Sequence, residues 1–142
     1  MRLRSYVFRE STTPVSDHFR LRLRSFGLGL GWLMVATIIW LSLTTSPPKL
    51  DFASGDKLGH FAAYATLMFW FCQLYASFGT RFAYAVGFVA MGIALEFIQG
   101  ATGYRTFEWL DMLANAIGVA LGWAVESILT YFSKTVQRDR FR

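Results

Sequence analysis

Asp56 and His60 stand four residues apart, Glu96 and Gln99 three apart, and Asp111 and Asn115 four apart, each pair at one end of a long apolar run. On a helix these spacings put both members of a pair on one face. One histidine and three carboxylates brought together can exchange protons near neutral pH. Lys57 and Arg105, in the same stretches, add positive charge, and the planar Arg fork suits a carboxylate or a phosphate. Charged groups at membrane depth are costly and mark either a working site or a buried pairing network.

The elements that must position them are apolar segments. The 142-residue chain is 54% hydrophobic and 18% aromatic, but only 16% charged against roughly 25% in a soluble domain, and its mean hydropathy is +0.37. Four runs, about 26–45, 57–78, 81–100 and 110–132, are each roughly 20 residues long, enough to cross a hydrocarbon core about 30 Å thick. The first is long for a signal peptide, is followed by SLTTSPP without a small-x-small cleavage site, and reads as an uncleaved span stopped by Pro47 and Pro48. The expected fold is all-α, a polytopic membrane protein with a four-transmembrane-helix bundle. Gly79 and Thr80 read as a tight turn between the second and third helices. The lone Cys72 lies among Phe and Leu, so it reads as packing and no intrachain disulfide is available.

Charge sets the expected orientation. Arg2, Arg4, Arg9, Arg20, Arg22, Arg24, Arg81, Lys134, Arg138, Arg140 and Arg142 fall on one side of the spans, and only Lys49, Lys57 and Arg105 on the other. The positive-inside rule then puts both termini in the cytoplasm. The domain reading is a basic arm over 1–25, a membrane domain over 26–132 and a basic tail over 133–142. Pro14 and the run Ser11 to Thr13 argue against one continuous helix through the arm, which either fixes topology or binds anionic headgroups.

This places Asp56, His60 and Tyr64 at the outer end of the second helix, Glu96 and Gln99 at that of the third, and Asp111 and Asn115 at that of the fourth. The deeper residue of each pair lies about 6 Å, one helical turn, inside the boundary. Gly118 and Gly122 continue the Asp111–Asn115 stripe, and Gly92 precedes Glu96 by one turn. Small residues four apart let membrane helices approach closely. Gly27 and Gly31 form a similar pair for packing or self-association, so a homo-oligomer through them is expected as an option.

Blander roles stand beside these. Asp56 and Asp111 can cap their helices. His60 can be a satisfied interface histidine, Glu96 a buried partner of Arg or His, and Arg105 a loop charge. Glu126 is expected to snorkel or to pair with the basic tail.

The ordered set Asp56-Lys57-x2-His60-x3-Tyr64, Glu96-x2-Gln99, Arg105 and Asp111-x3-Asn115-x2-Gly118-x3-Gly122 resembles the VanZ-like family of small bacterial membrane proteins over roughly half the chain. The resemblance implies a compact four- or five-helix membrane bundle in a bacterial cytoplasmic membrane. It also points to the cell envelope, since the family is named for low-level resistance to the antibiotic teicoplanin. It does not name a reaction.

Three functions fit these residues. In the first, the outward site binds or modifies a lipid headgroup, either a phospholipid or an undecaprenyl-linked cell-wall precursor. His60, Glu96 and Asp111 would be its proton-handling residues, and Asp56, Lys57, Tyr64, Gln99, Arg105 and Asn115 its binding residues. In the second, the polar set is a structural network fixing helix register in a non-enzymatic protein. Transport is the weaker form of that reading, because the inner halves of the helices are apolar. In the third, Asp56, His60, Glu96 and Asp111 hold Mg²⁺ or Mn²⁺ in a metal-dependent hydrolase. No cofactor is expected. Gly27-Leu-Gly-Leu-Gly31 lies inside a span, so it is no phosphate loop, and nucleic acid is a poor account of basic tails beside membrane helices.

Overall fold

The computed structural model describes residues 14–46 and 55–140, with side chains described from residue 18 onward. Arg2, Arg4, Arg9, the Pro47–Pro48 stop, Lys49 and Arg142 lie outside the described residues. The described chain is all-helical: α1 Pro14–Leu43, α2 Gly55–Leu74, α3 Phe78–Ala101 and α4 Trp109–Arg140.

Each helix buries one stripe and leaves the rest apolar and exposed. The stripe is Tyr64, Leu67, Met68, Phe71 and Cys72 on α2, with spacing of three and four. On α3 it is Ala85, Phe88, Gly92, Leu95, Glu96 and Gln99. On α4 it is Asp111, Asn115, Gly118, Val119, Gly122 and Glu126. The outer surface carries Trp32, Trp40, Phe82, Phe97, Ile117 and Ile128, all exposed. Apolar groups outside and Ser42, Glu96, Gln99, Asp111, Asn115 and Glu126 inside invert the soluble pattern and suit a lipid solvent. Among the described helices, 26 residues of α1 (His18–Leu43), α3 and α4 are long and apolar enough to cross a membrane. At 20 residues with Asp56 and Lys57 in its first turn, α2 is the shorter and more polar-ended helix.

α2 stands at the centre and touches the other three helices, most extensively α4, while α1 and α4 do not touch among the described residues. Glycine decides the α2–α4 approach. A Cβ on Gly118 would lie 2.4 Å from the Phe61 carbonyl oxygen, and one on Gly122 would lie 2.2 Å from that of Ala65. The helix backbones therefore meet directly, and these contacts run in the same order on both helices, so α2 and α4 are parallel. α3 runs opposite to α4: its early Arg81 meets Glu126, and its later Glu96 meets Glu108. Gly27 and Gly31, read as a packing or self-association pair, face Leu74 and Phe71 of the same chain. The Trp70 indole donates to the Gly27 carbonyl at 2.9 Å.

Three boundaries differ from the sequence reading. The turn lies at residues 75–77, and Gly79 and Thr80 belong to the first turn of α3. The reason is Arg81, which donates to the carbonyls of Tyr75 and Cys72 and so closes the C-terminal end of α2. Helix α1 continues back to Pro14, because proline is tolerated in a first turn where its missing N–H has no intrahelical role. Arg20, Arg22 and Arg24 thus ride on the same helix as the apolar run. Helix α4 likewise carries Lys134, Arg138 and Arg140 to its end at Arg140.

Candidate functional site

The start of α2, the start of α4 and the end of α3 meet at one end of the bundle. Asp56 and Lys57 lie in the first turn of α2 and Asp111 in that of α4, where a carboxylate gains from the helix dipole. His60 Nδ1 lies 3.2 Å from Asn115 Oδ1. An amide oxygen only accepts, so Nδ1 carries the proton and donates. In the neutral ring this leaves the lone pair on Nε2, which lies 3.9 Å from Asp111 Oδ2. Lys57 Nζ lies 3.9 Å from Asp111 Oδ1, beyond hydrogen-bond length.

Burial is graded. Asp56 is exposed, His60 is half-buried, and Asp111 and Asn115 are 4% and 2% exposed. Burial thus deepens from Asp56, at the mouth of the bundle, through His60 to the Asp111 carboxylate. Asp111 Oδ1 is buried with no hydrogen-bond partner, as is the Tyr64 hydroxyl one turn below His60. Gly92 makes the room on the α3 side: a Cβ there would lie 2.8 Å from Asn115 Nδ2.

The other expected site residues have different duties. Glu96, 1% exposed, accepts the Glu108 backbone N–H at 2.5 Å. It thereby satisfies one of the unpaired donors at the start of α4. The expected Arg or His partner is replaced by a backbone group. Glu96 also stands outside the cluster of Asp56, His60 and Asp111 whose ligand atoms lie within 4.8 Å of one another, which corrects the four-residue metal set. Gln99 donates to the Ser42 carbonyl at 2.7 Å, and the Tyr104 hydroxyl donates to Leu43 at 2.8 Å. Both satisfy carbonyls at the end of α1. Arg105 lies in the α3–α4 loop, half-buried, and makes no ion pair among the described residues.

Two partnerships escaped the sequence reading. Glu108 pairs with Lys57 at 2.5 Å; its signal was its place three residues before Asp111, on the same helical face. Among the described residues Glu126 does not pair with the basic tail. It is 2% exposed and meets Arg81 at 2.7 Å through Oε2 and 2.9 Å through Oε1, with Thr130 donating to it as well. The physical reason is position: Glu126 continues the buried Gly118–Gly122 stripe by one more turn, which points it inward. This second polar centre lies at the opposite end of the bundle from His60.

A family model described as VanZ/LLP1 matches residues 5–130. An uncharacterised protein of the yeast Schizosaccharomyces pombe is 26% identical over 132 residues, covering 91% of this chain and 77% of the relative. No solved structure matches. The family match takes in the first three apolar segments, the fourth as far as residue 130 and every residue of the mouth, well beyond the stretch that carries the motifs, and the chain belongs to the VanZ/LLP1 family.

Proposed function

We propose that this VanZ-family membrane protein binds a phosphate-bearing lipid headgroup at the Asp56–His60–Asp111 mouth and handles protons there. One observation carries the reading: burial deepens from the exposed Asp56 through His60 to an Asp111 carboxylate that has an oxygen without a hydrogen-bond partner. A network serving helix register alone would close its hydrogen bonds, because an unpartnered buried acceptor is destabilising. In this reading Arg105 and Lys57 hold the headgroup's negative charge, and Arg105 is unspent on any described carboxylate. While no cation occupies it, His60 Nε2, with Nδ1–H tied to Asn115, serves as the proton acceptor. Asp111 holds the resulting imidazolium.

The charge asymmetry of the loops supports an outward-facing mouth with both termini cytoplasmic. A bacterial cytoplasmic membrane, a phospholipid or undecaprenyl-linked headgroup and a part in teicoplanin susceptibility are the specific forms of this proposal. A second reading has its own support. Glu96 on the Glu108 N–H and Gln99 on the Ser42 carbonyl are structural ties, which favours a register network for that half of the polar set.

The test is to express Arg105→Ala and His60→Gln, confirm monodisperse extraction and unchanged melting, and compare lipid-linked precursors and glycopeptide susceptibility with the parent. Folded variants with an altered lipid profile support a working site. Folded variants with parental lipids and susceptibility remove the headgroup reading.

A further inference from the structure

We propose that Asp56, His60 and Asp111 form a binding site for a divalent first-row transition-metal ion of the Mn²⁺-to-Zn²⁺ series. One ligand atom from each residue lies within 4.8 Å of the other two. Bonds of about 2.0–2.2 Å at tetrahedral or octahedral angles set two ligand atoms about 3.0–3.5 Å apart. The His60 Nε2 to Asp111 Oδ2 gap is 3.9 Å, too long for a hydrogen bond, and a small side-chain rotation closes it onto one ion.

Two observations beyond proximity point to a cation. The first is tautomeric. The Asn115 amide oxygen at 3.2 Å accepts from Nδ1, so in the neutral ring Nε2, on the Asp111 side, carries the lone pair. Metal-binding imidazoles are held in this way, with the far ring N–H tied to an oxygen. The second is the unpartnered Asp111 Oδ1, in a side chain only 5% exposed. Lys57 holds Glu108 at 2.5 Å and reaches Asp111 only at 3.9 Å. The buried carboxylate thus has positive charge nearby and no hydrogen bond on Oδ1.

The donor set names the class of ion. One imidazole nitrogen with two carboxylates suits Mn²⁺ through Zn²⁺ better than Ca²⁺, which takes six to eight oxygens. Three protein ligands leave coordination positions open. Asp56, exposed at the mouth, is the entry ligand, and Asp111 is the buried one.

The experiment uses the full chain purified in detergent, stripped with a chelator and titrated with Mn²⁺ by electron paramagnetic resonance. No lipid is added, so the outcome is independent of the headgroup reading. The expected result is saturable binding of one Mn²⁺ per chain, displaced by Zn²⁺ and not by equal Ca²⁺. Asp111→Asn abolishes it. Asp56→Asn, at an exposed position whose loss leaves the core intact, weakens it at least tenfold. Asp139→Asn, exposed in the last turn of α4, leaves it unchanged. Absence of saturable binding in the parent, or equal affinity in parent and Asp56→Asn, overturns the proposal.

Discussion

At the scale of single residues, Arg81 shows how one side chain joins three helices. From the first turns of α3 it donates to the Tyr75 and Cys72 carbonyls at the end of α2 and to Glu126 on α4. The Glu126 side chain is 3% exposed and that of Arg81 15%, so their attraction is little screened. Breaking a buried pair by removing one charge costs about 3–5 kcal/mol, because the other charge is left stranded. Glu126→Gln is therefore expected to lower stability by about 3 kcal/mol, read as an earlier midpoint in detergent unfolding. Arg81→Met with Glu126→Leu is expected to recover part of that loss, since neither charge is then stranded. A single variant as stable as the parent would show that the pair contributes nothing. Of this arrangement the sequence reading, which had Glu126 snorkelling or pairing with the basic tail, disclosed neither its burial nor its partner. Arg81 counts in a sequence as loop charge, and only the break at residues 75–77 turns it inward.

At the scale of elements, the α2–α4 contact sets the site. Gly118 and Gly122 bring backbone against backbone, and that approach fixes the rotation that aligns Asn115 with His60 and Asp111 with Lys57. Alanine is the better helix former by about 0.8–1.0 kcal/mol. Yet Gly122→Ala would put a methyl 2.2 Å from a carbonyl oxygen that cannot move alone. The helices must separate, and the expected cost is about 1–3 kcal/mol, seen as a lower melting temperature. Gly87→Ala, with nothing within 4 Å of its Cβ, is the matched control and is expected to be neutral or stabilising. Equal effects at the two positions would show that the close approach is unimportant. The glycine stripe was legible because small residues four apart have one strong use in a membrane. What it packs against was not, since any of three helices offered a face.

At the scale of the whole molecule, the alternation of helix directions puts the His60 mouth and the Arg81–Glu126 centre at opposite ends. If the bundle spans a membrane, these ends face different compartments. Cys72 is 1% exposed, so introduced cysteines can be read over a low background. Thr106→Cys in the α3–α4 loop and Ser133→Cys near the end of α4 are both exposed. An impermeant maleimide is expected to label Thr106→Cys on intact cells, and Ser133→Cys only after permeabilisation. Labelling of both from one side would mean that α4 does not cross.

The sequence by itself determined the helical class, the membrane solvent and the family, and it put Asp56, His60, Glu96, Asp111 and Asn115 at one height. The class, the solvent and the heights follow from run length, apolar content and helical period, which are local, and the family from the likeness of the motif set. Tertiary structure alone decided which of these polar groups share a site. Glu96 turned to the Glu108 N–H, Gln99 to the end of α1, and Asp56, His60 and Asp111 to one another. Height along a helix is set by residue number. Direction around it is set by packing, and here by two glycines whose missing side chains let α2 and α4 touch.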